Sequence, residues 1–393
     1  MIDYSGRSAA FILGLEENGY GHVRSLAMMG VPCVGFYNTE KSFARYSRLC
    51  QAVPIFDGQC SDGDICRMLI EKRQQFSERP VLYATSDAFV NLILGHRDIL
   101  AEHFHFHWTS SEQHQRTLDK AQMHEMCEAA GVRAPRTYVT QRDENIGAVS
   151  ERIAYPSIVK PRQSFDSPFP DDRKNFVALT AGDLRDFYAQ HPDSLGATLL
   201  QEIVDGSDDD IFQCTALIRR NGETGAVFCA RKLRQYLPGF GVMCFGRSEG
   251  NPFVVSQTLK LLGTLNWRGF ASLEFKRRRS DGEYYFIEMN PRLPWYNGLF
   301  VDAGVNLPYL AYLDLTEGSE FDGPVSHQRN GVHWVALRQD LGWLSRTRGA
   351  RPISRIRWLR SLAKAQSYAW WNARDLRPGI HAMAYLLRLL VRR

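Results

Sequence analysis

The sequence predicts an α/β protein with an N-terminal parallel-sheet domain, a central region built on antiparallel hairpins, and a basic helical tail. Three observations carry this prediction. Through the first hundred residues, strand-length apolar runs alternate with helix-length stretches, the rhythm of βαβ units. Two later segments read as hairpins, with turns at Asn221-Gly222 and Asp281-Gly282. Residues 346–393 hold twelve Lys/Arg against one acid, Asp375, so a chain of net charge +5 carries about −6 over the rest.

In order, 9–15 reads as a strand, 19–29 as a helix, 32–37 as a strand and 64–76 as a helix. Residues 81–84 make another strand, with 87–94 helical behind it. Ligands of such sheets gather at the carboxyl ends of strands, here the loops opening at Gly14 and Thr85. A helix is expected over 119–130, stopped by Gly131, with Pro135 opening an extended segment. Residues 158–160 close a short strand before Pro161. The polar stretch 162–174, with two prolines, reads as a mobile loop. An apolar strand over 198–203 leads into an acidic turn at 205–210. The first hairpin pairs 211–219 with 226–232, a helix follows near 254–265, and the second hairpin pairs 271–276 with 284–289.

Composition narrows the function. A length of 393 residues calls for two or three domains, and 44% hydrophobic with 23% charged residues is the profile of a soluble globular chain. Eight cysteines without a CxxC pair argue against a zinc module or a disulfide framework. With no signal-peptide pattern before Ala9 and no run of eighteen apolar residues, the chain reads as cytoplasmic. Residues 14–21 lack the Gly-x-Gly start of a dinucleotide loop and read as a substrate-side loop, with Asn18 and Gly19 near an acceptor. An acidic body argues against nucleic acid.

The second hairpin concentrates the chemistry. Ser272-Leu-Glu-Phe-Lys276 pairs with Phe286-Ile-Glu-Met-Asn-Pro-Arg292. About a turn at Asp281-Gly282, Glu274 and Glu288 fall opposite one another. Facing acids repel, so a cation belongs between them. Asn290, two residues beyond Glu288, adds a carbonyl oxygen on the same face. Two carboxylates and an amide oxygen suit Mg²⁺, with nucleotide phosphates completing the shell. The plainer reading pairs these acids with Lys276 and Arg277. Lys160 ends an apolar strand and is fixed by Pro161, a point charge suited to phosphate. In Leu199-Leu-Gln-Glu-Ile-Val-Asp-Gly206 a strand meets a carboxylate and exposes backbone near Val204, which suits an adenine.

In this order the motifs resemble the ATP-grasp superfamily over residues 115–315. They lie closest to its carboxylate–amine ligase branch, which includes D-aspartate ligases and carbamoyl-phosphate-synthetase-like enzymes. Gly14-Leu-Glu-Glu-Asn-Gly-Tyr-Gly21, Val23-Arg-Ser-Leu26 and Tyr46-Ser-Arg48 resemble the opening of these ligases. The resemblance implies α+β architecture in this part. It divides the chain into a pre-ATP-grasp substrate domain over 1–112, an ATP-grasp domain over 113–330 (lid about 135–205, metal-site part about 206–330) and a basic tail over 331–393.

It further implies that ATP and Mg²⁺ (or Mn²⁺) are bound, with Lys120 and Lys160 on the phosphates and Glu202 and Val204 at the adenine. Asp208 is then the ribose contact, although Asp209 and Asp210 compete for that role. Arg231, Lys232 and Arg234 form a basic strand toward the triphosphate. Glu274, Glu288 and Asn290 are the implied metal ligands, and Arg292 neutralises an acyl phosphate. The implied reaction is amide formation from a small-molecule carboxylate and amine. An ATP-grasp kinase or carboxylase, or a non-catalytic nucleotide binder recruited to a membrane by its tail, are the alternatives. The loop after Lys160 departs from the family pattern by lacking glycine, which shifts closure to Arg162, Gln163 and Ser164.

Three features stand outside this scheme. His103, His105 and His107 alternate on an expected strand, either as a zinc-binding face or as a polar face. Residues 236–246 read as a loop near the nucleotide, and Ser86-Asp87 as a helix cap or a substrate contact. The tail places Ile353, Ile356, Leu359 and Leu362 at helical spacing among arginines. It reads equally as a peripheral contact on an anionic membrane or as a helical cap on the body.

Overall fold

The computed structural model describes residues 7–55, 60–107, 111–163, 175–318, 327–346 and 353–391. The first sheet contains β1 (Ala10–Leu13), β2 (Cys33–Tyr37), β3 (Gln51–Pro54) and β4 (Val81–Ala84), all parallel in the order β3-β2-β1-β4. β1 is apolar at every position because both of its faces are covered. Ala10 and Ile12 pack in one core, Phe11 and Leu13 in another. The chain leaves β1 toward β2 on one side while β4 lies on the other. The crevice at their carboxyl ends is therefore the switch point of the sheet. Gly14, at φ +95, makes the turn there. A Cβ on Gly19 would lie 1.8 Å from the Gly14 carbonyl oxygen, so glycine lets the Glu17–Ala27 helix start hard against that turn.

A small antiparallel sheet follows: β5 (Thr137–Val139), β6 (Ser157–Pro161), β7 (Phe176–Ala178) and β8 (Thr198–Glu202), ordered β5-β8-β6-β7. Its apolar face closes on the Ala181–Gln190 helix, whose start is fixed by a capping box between Thr180 and Asp183. The loop expected to be mobile lies, from Ser164 to Lys174, outside the described residues.

The third sheet holds β9 (Ile211–Ile218), β10 (Thr224–Tyr236), β11 (Val242–Ser248), β12 (Gly269–Arg277), β13 (Tyr284–Asn290), β14 (His333–Val335) and β15 (Ala365–Tyr368). Its order is β13-β12-β9-β10-β11-β14-β15. Strand alternation splits the residues between two faces. Cys214, Ala216, Leu273 and Phe275 pack beneath the Lys120–Ala129 and Pro252–Thr264 helices. Gln213, Thr215, Ser272 and Glu274 are buried on the other face, giving a polar stripe inside the protein.

Two expectations change here. The segment beyond residue 330 is more than a helical tail, because β14 and β15 extend the large sheet. The signal is weak in sequence: β14 is three residues long and β15 lacks apolar alternation. The three histidines do not share a strand face. His103 ends the Arg97–His103 helix, His105 bridges Val81, and His107 is buried 2.6 Å from Asp314. A helix claims the first of them, so the alternation never forms.

Candidate active site

The polar stripe starts from hairpin register. β12 and β13 pair with Glu274 directly opposite Glu288 and Ser272 opposite Asn290. A register shift leaves Ile287 outside the pairing, so Phe286 and Met289 both reach the core while Glu288 and Asn290 turn to the other face. Glu274 is deep and Glu288 exposed. Lys232 lies 2.6 Å from Glu274, and Gln213 donates to the same carboxylate at 2.9 Å. Burial nevertheless pushes the Glu274 carboxyl above its usual range; Lys232 opposes this, and the charge of Glu288 adds to it.

The second sheet brings lysines to the same place. Lys160, near the end of β6, donates to Gln201 of β8 at 2.7 Å. Burial lowers its pKa, while Glu288 and Glu274 pull it back up, so the three charges share one space. Lys120 opens its helix behind the Asp119 cap and donates to the Pro161 carbonyl at 2.9 Å. Asp119 also holds Arg162 at 2.7 Å, tying the helix start to the end of β6. Burial, then the positive charge of Lys160, push Lys120 down to about 8. Two lysines this close favour an anion between them.

Glu288, Asn290, Lys120 and Gln201 line a cleft of about 340 Å³ whose far wall is Arg292 and Asp87. Arg292 is gripped by both oxygens of Asp87, at 2.9 and 3.0 Å. Asp87 sits in the first turn after β4, where Ser86 caps the helix by accepting from Phe89 N at 3.3 Å. The cleft thus runs from Glu288, opposite the buried Glu274, to the switch point of the first sheet. Among the described residues no three His, Cys, Asp or Glu side chains form a ready-made metal cage. The donor set still fits a hard divalent ion that keeps phosphate oxygens as ligands: two carboxylates, one amide and two lysines able to hold the phosphates.

Comparison with known proteins bears on the fold. No family model matches the chain. A D-aspartate ligase of Enterococcus faecium is 23% identical over 355 residues, spanning 82% of this chain and 79% of that protein. The biotin carboxylase domain of Hydrogenobacter thermophilus 2-oxoglutarate carboxylase, solved with MgADP, ADP and bicarbonate, has a TM-score of 0.63 at 14% identity. The likeness covers 84% of this chain and 74% of that one. An N5-carboxyaminoimidazole synthetase of Staphylococcus aureus complexed with ADP gives 0.60 at 14%, over 84% and 82%. The chain shares the fold of these two structures, the ATP-grasp fold that its motifs resemble.

Within the ATP-grasp fold, several expected residues stand elsewhere. Arg231 and Lys232 are neighbours on β10, so alternation allows only one of them into the cleft. Arg231 lies over Phe212 at 5.5 Å and pairs with Glu249 at 3.4 Å, in a recess on the opposite face. Arg234 is turned from Glu274 by register shifts between Lys232 and Gln235, and it forms a buried pair with Asp340. Glu202 ends β8, but its carboxylate is taken by Arg278 at 2.8 Å and Arg136 at 3.4 Å. Its neighbour Gln201 faces the cleft instead. Val204 is buried two residues beyond the end of β8.

Of the three aspartates, Asp209 and Asp210 face Arg231 and Arg279. Asp208 accepts from Gln235 at 2.8 Å and Gly239 N at 3.2 Å, on the side of Lys232. Asn18 is used up in structure, donating to the Thr85 and Leu293 carbonyls. The sequence reading missed Gln201, Gln213 and the grip of Asp87 on Arg292. Period-two spacing would have found the first; the last joins residues 205 apart and leaves no local signal.

Proposed function

We propose that this protein is an ATP- and Mg²⁺-dependent ligase that activates a small-molecule carboxylate as its acyl phosphate and joins it to an amine. The observation carrying this is the cluster of Glu274, Glu288, Lys120 and Lys160, in which Glu288 and Lys120 line a cleft that ends at Arg292 and Asp87 and the buried Glu274 and Lys160 stand within charge range of Glu288. Glu274, Glu288 and Asn290 would hold Mg²⁺, or Mn²⁺ in its place. The ion would neutralise phosphate charge as the γ-phosphoryl group moves.

Lys120 and Lys160 bind phosphate oxygens, which relieves their mutual repulsion. The backbone near Val204 takes the adenine, and Asp208 the ribose. A substrate carboxylate oxygen attacks the γ-phosphorus and ADP leaves; the amine then attacks the acyl carbon and phosphate leaves. Neither step needs a protein nucleophile. Arg292 holds the reacting carboxylate by exchanging Asp87 for it, and Lys232 holds Glu274 in line. The D-aspartate ligase relative supports an amino acid as the carboxylate. The reaction is that of a cytoplasmic enzyme. A kinase or carboxylase would use the same nucleotide site and differ in product.

Screening ADP release against pairs of amino acids and amines, with product masses, tests this reading: an amide supports it, and a phosphorylated or carboxylated product replaces it. Glu288→Gln should lower substrate-stimulated ADP release by about 10²-fold or more without shifting the melting temperature. Turnover close to wild type in that variant rejects the metal assignment.

A further inference from the structure

The C-terminal segment has an exposed surface from which negative charge is missing. Across 353–391 the sequence holds one acid, Asp375, and that acid is buried. Its carboxylate accepts from Ser47 Oγ at 2.5 Å and from Tyr20 Oη at 3.1 Å. The acid is therefore spent on attachment to the body. Arg355, Arg357, Arg360, Lys364, Arg374, Arg377 and Arg388 remain at the surface.

Apolar side chains stand out among these cations. On the Arg355–Leu362 helix Trp358 is buried, yet Ile356 and Leu359 are 63% and 57% exposed. On the Arg377–Val391 helix Ile380 and Leu387 are 54% and 55% exposed. They lie seven positions apart, and Leu376, just before the helix, is exposed four positions earlier, so the three form one stripe. The opposite face is anchored: His381 stacks on Tyr46 at 3.5 Å and Tyr385 meets Phe43 at 5.5 Å. Packing on the body and presenting an apolar basic face are thus compatible.

We propose that these two helices dock on an anionic phospholipid surface. Fixed cations complement lipid phosphate, and isoleucine and leucine at this exposure enter the acyl boundary. Exposed aliphatic chains have nothing to stack on in a nucleic acid. No described helix is long and apolar enough to cross a bilayer, so the contact is peripheral. The inference does not depend on the ligase reading, since none of these residues lines the cleft.

Sedimentation of the full chain with vesicles tests it, using phosphatidylcholine alone and phosphatidylcholine with phosphatidylglycerol. Binding to the anionic vesicles should exceed binding to neutral ones by at least about tenfold and fall as salt rises. Arg377→Ser and Arg388→Ser should each weaken it about fivefold. Ile380→Ser with Leu387→Ser should weaken it by about tenfold or more, with the melting temperature unchanged. Equal binding to both vesicle types overturns the proposal, as does no binding to either. A dimer in solution that Ile380→Ser dissolves gives the stripe to a second copy of the chain and overturns it too.

Discussion

Two buried ion pairs sit two residues apart on β10, and they behave differently. Arg234 meets Asp340 through two bonds of 2.6 and 2.8 Å. Its third nitrogen donates to Ser361 at 2.9 Å, and Asp340 also accepts from Trp358 Nε1 at 2.8 Å. Phe245 covers the guanidinium at 4.0 Å. Every polar arm of that arginine is engaged. Lys232 meets Glu274 at 2.6 Å and also donates to Gln235 Oε1 at 3.3 Å and the Gly241 carbonyl at 3.4 Å, but its acid faces a second one, Glu288, and the Oε1 atom of Gln213 beside it has no partner among the described residues. The saturated pair is architecture: it bolts the helices beyond residue 337 onto the sheet. The second pair, complete at the lysine but open on the acid side, is poised for a ligand. Burial alone does not mark a site; incomplete partnering inside burial does.

This contrast can be broken or sharpened in four measurements. Arg234→Met strands a buried carboxylate and should cost about 3–5 kcal/mol of stability in urea unfolding. A loss below about 1 kcal/mol would make the pair ornamental by the measure of exposed bridges. Lys232→Met should lower substrate-stimulated ADP release by about 10²–10³-fold, the scale for removing one charge-stabilising donor. Its unfolding midpoint should move less than that of Arg234→Met, because burial and Glu288 already push Glu274 toward the protonated form, which carries no charge to strand.

A smaller effect follows from Lys120, whose pKa is lowered to about 8. Bound phosphate restores the proton, so ATP affinity is full below pH 8 and falls by about tenfold from pH 7 to 9. Lys120→Met should flatten that profile. The sign for folding is opposite: the buried ammonium costs stability below pH 8, and the cost fades as pH rises toward the unfolded value near 10.4. The smallest change is expected for Arg231→Ala, about threefold or less on KM for ATP, since its recess lies on the far face of the sheet. A loss as large as that of Lys232→Met would undo the division between faces.

Much of the cleft was legible because its parts are local. A turn at Asp281-Gly282 fixes the register that sets Glu274 against Glu288, and a proline after Lys160 marks the strand end. Three strands of the parallel sheet were legible from the spacing of apolar runs; β3, a short edge strand with no fully buried residue, was not. What else escaped is of two kinds. Irregularities in a strand, such as the shifts after Lys232, redirect a side chain without altering composition. Partners far apart, such as Asp87 with Arg292 or Arg234 with Asp340, are joined by tertiary packing alone. Arg231 belongs to neither kind: strict alternation beside Lys232 already excluded it from the cleft.

The Glu17–Ala27 helix is completed by residues made some 350 positions later: Tyr20 bonds Asp375 and stacks on Trp370, and Arg24 donates to the Tyr368 carbonyl. On a ribosome this helix therefore emerges with its outer surface bare and must wait for almost the whole chain before that surface is sealed. The amino-terminal sheet is born first and finished last. During synthesis Tyr20 is an exposed aromatic open to chaperones, and premature termination near residue 360 would leave it so.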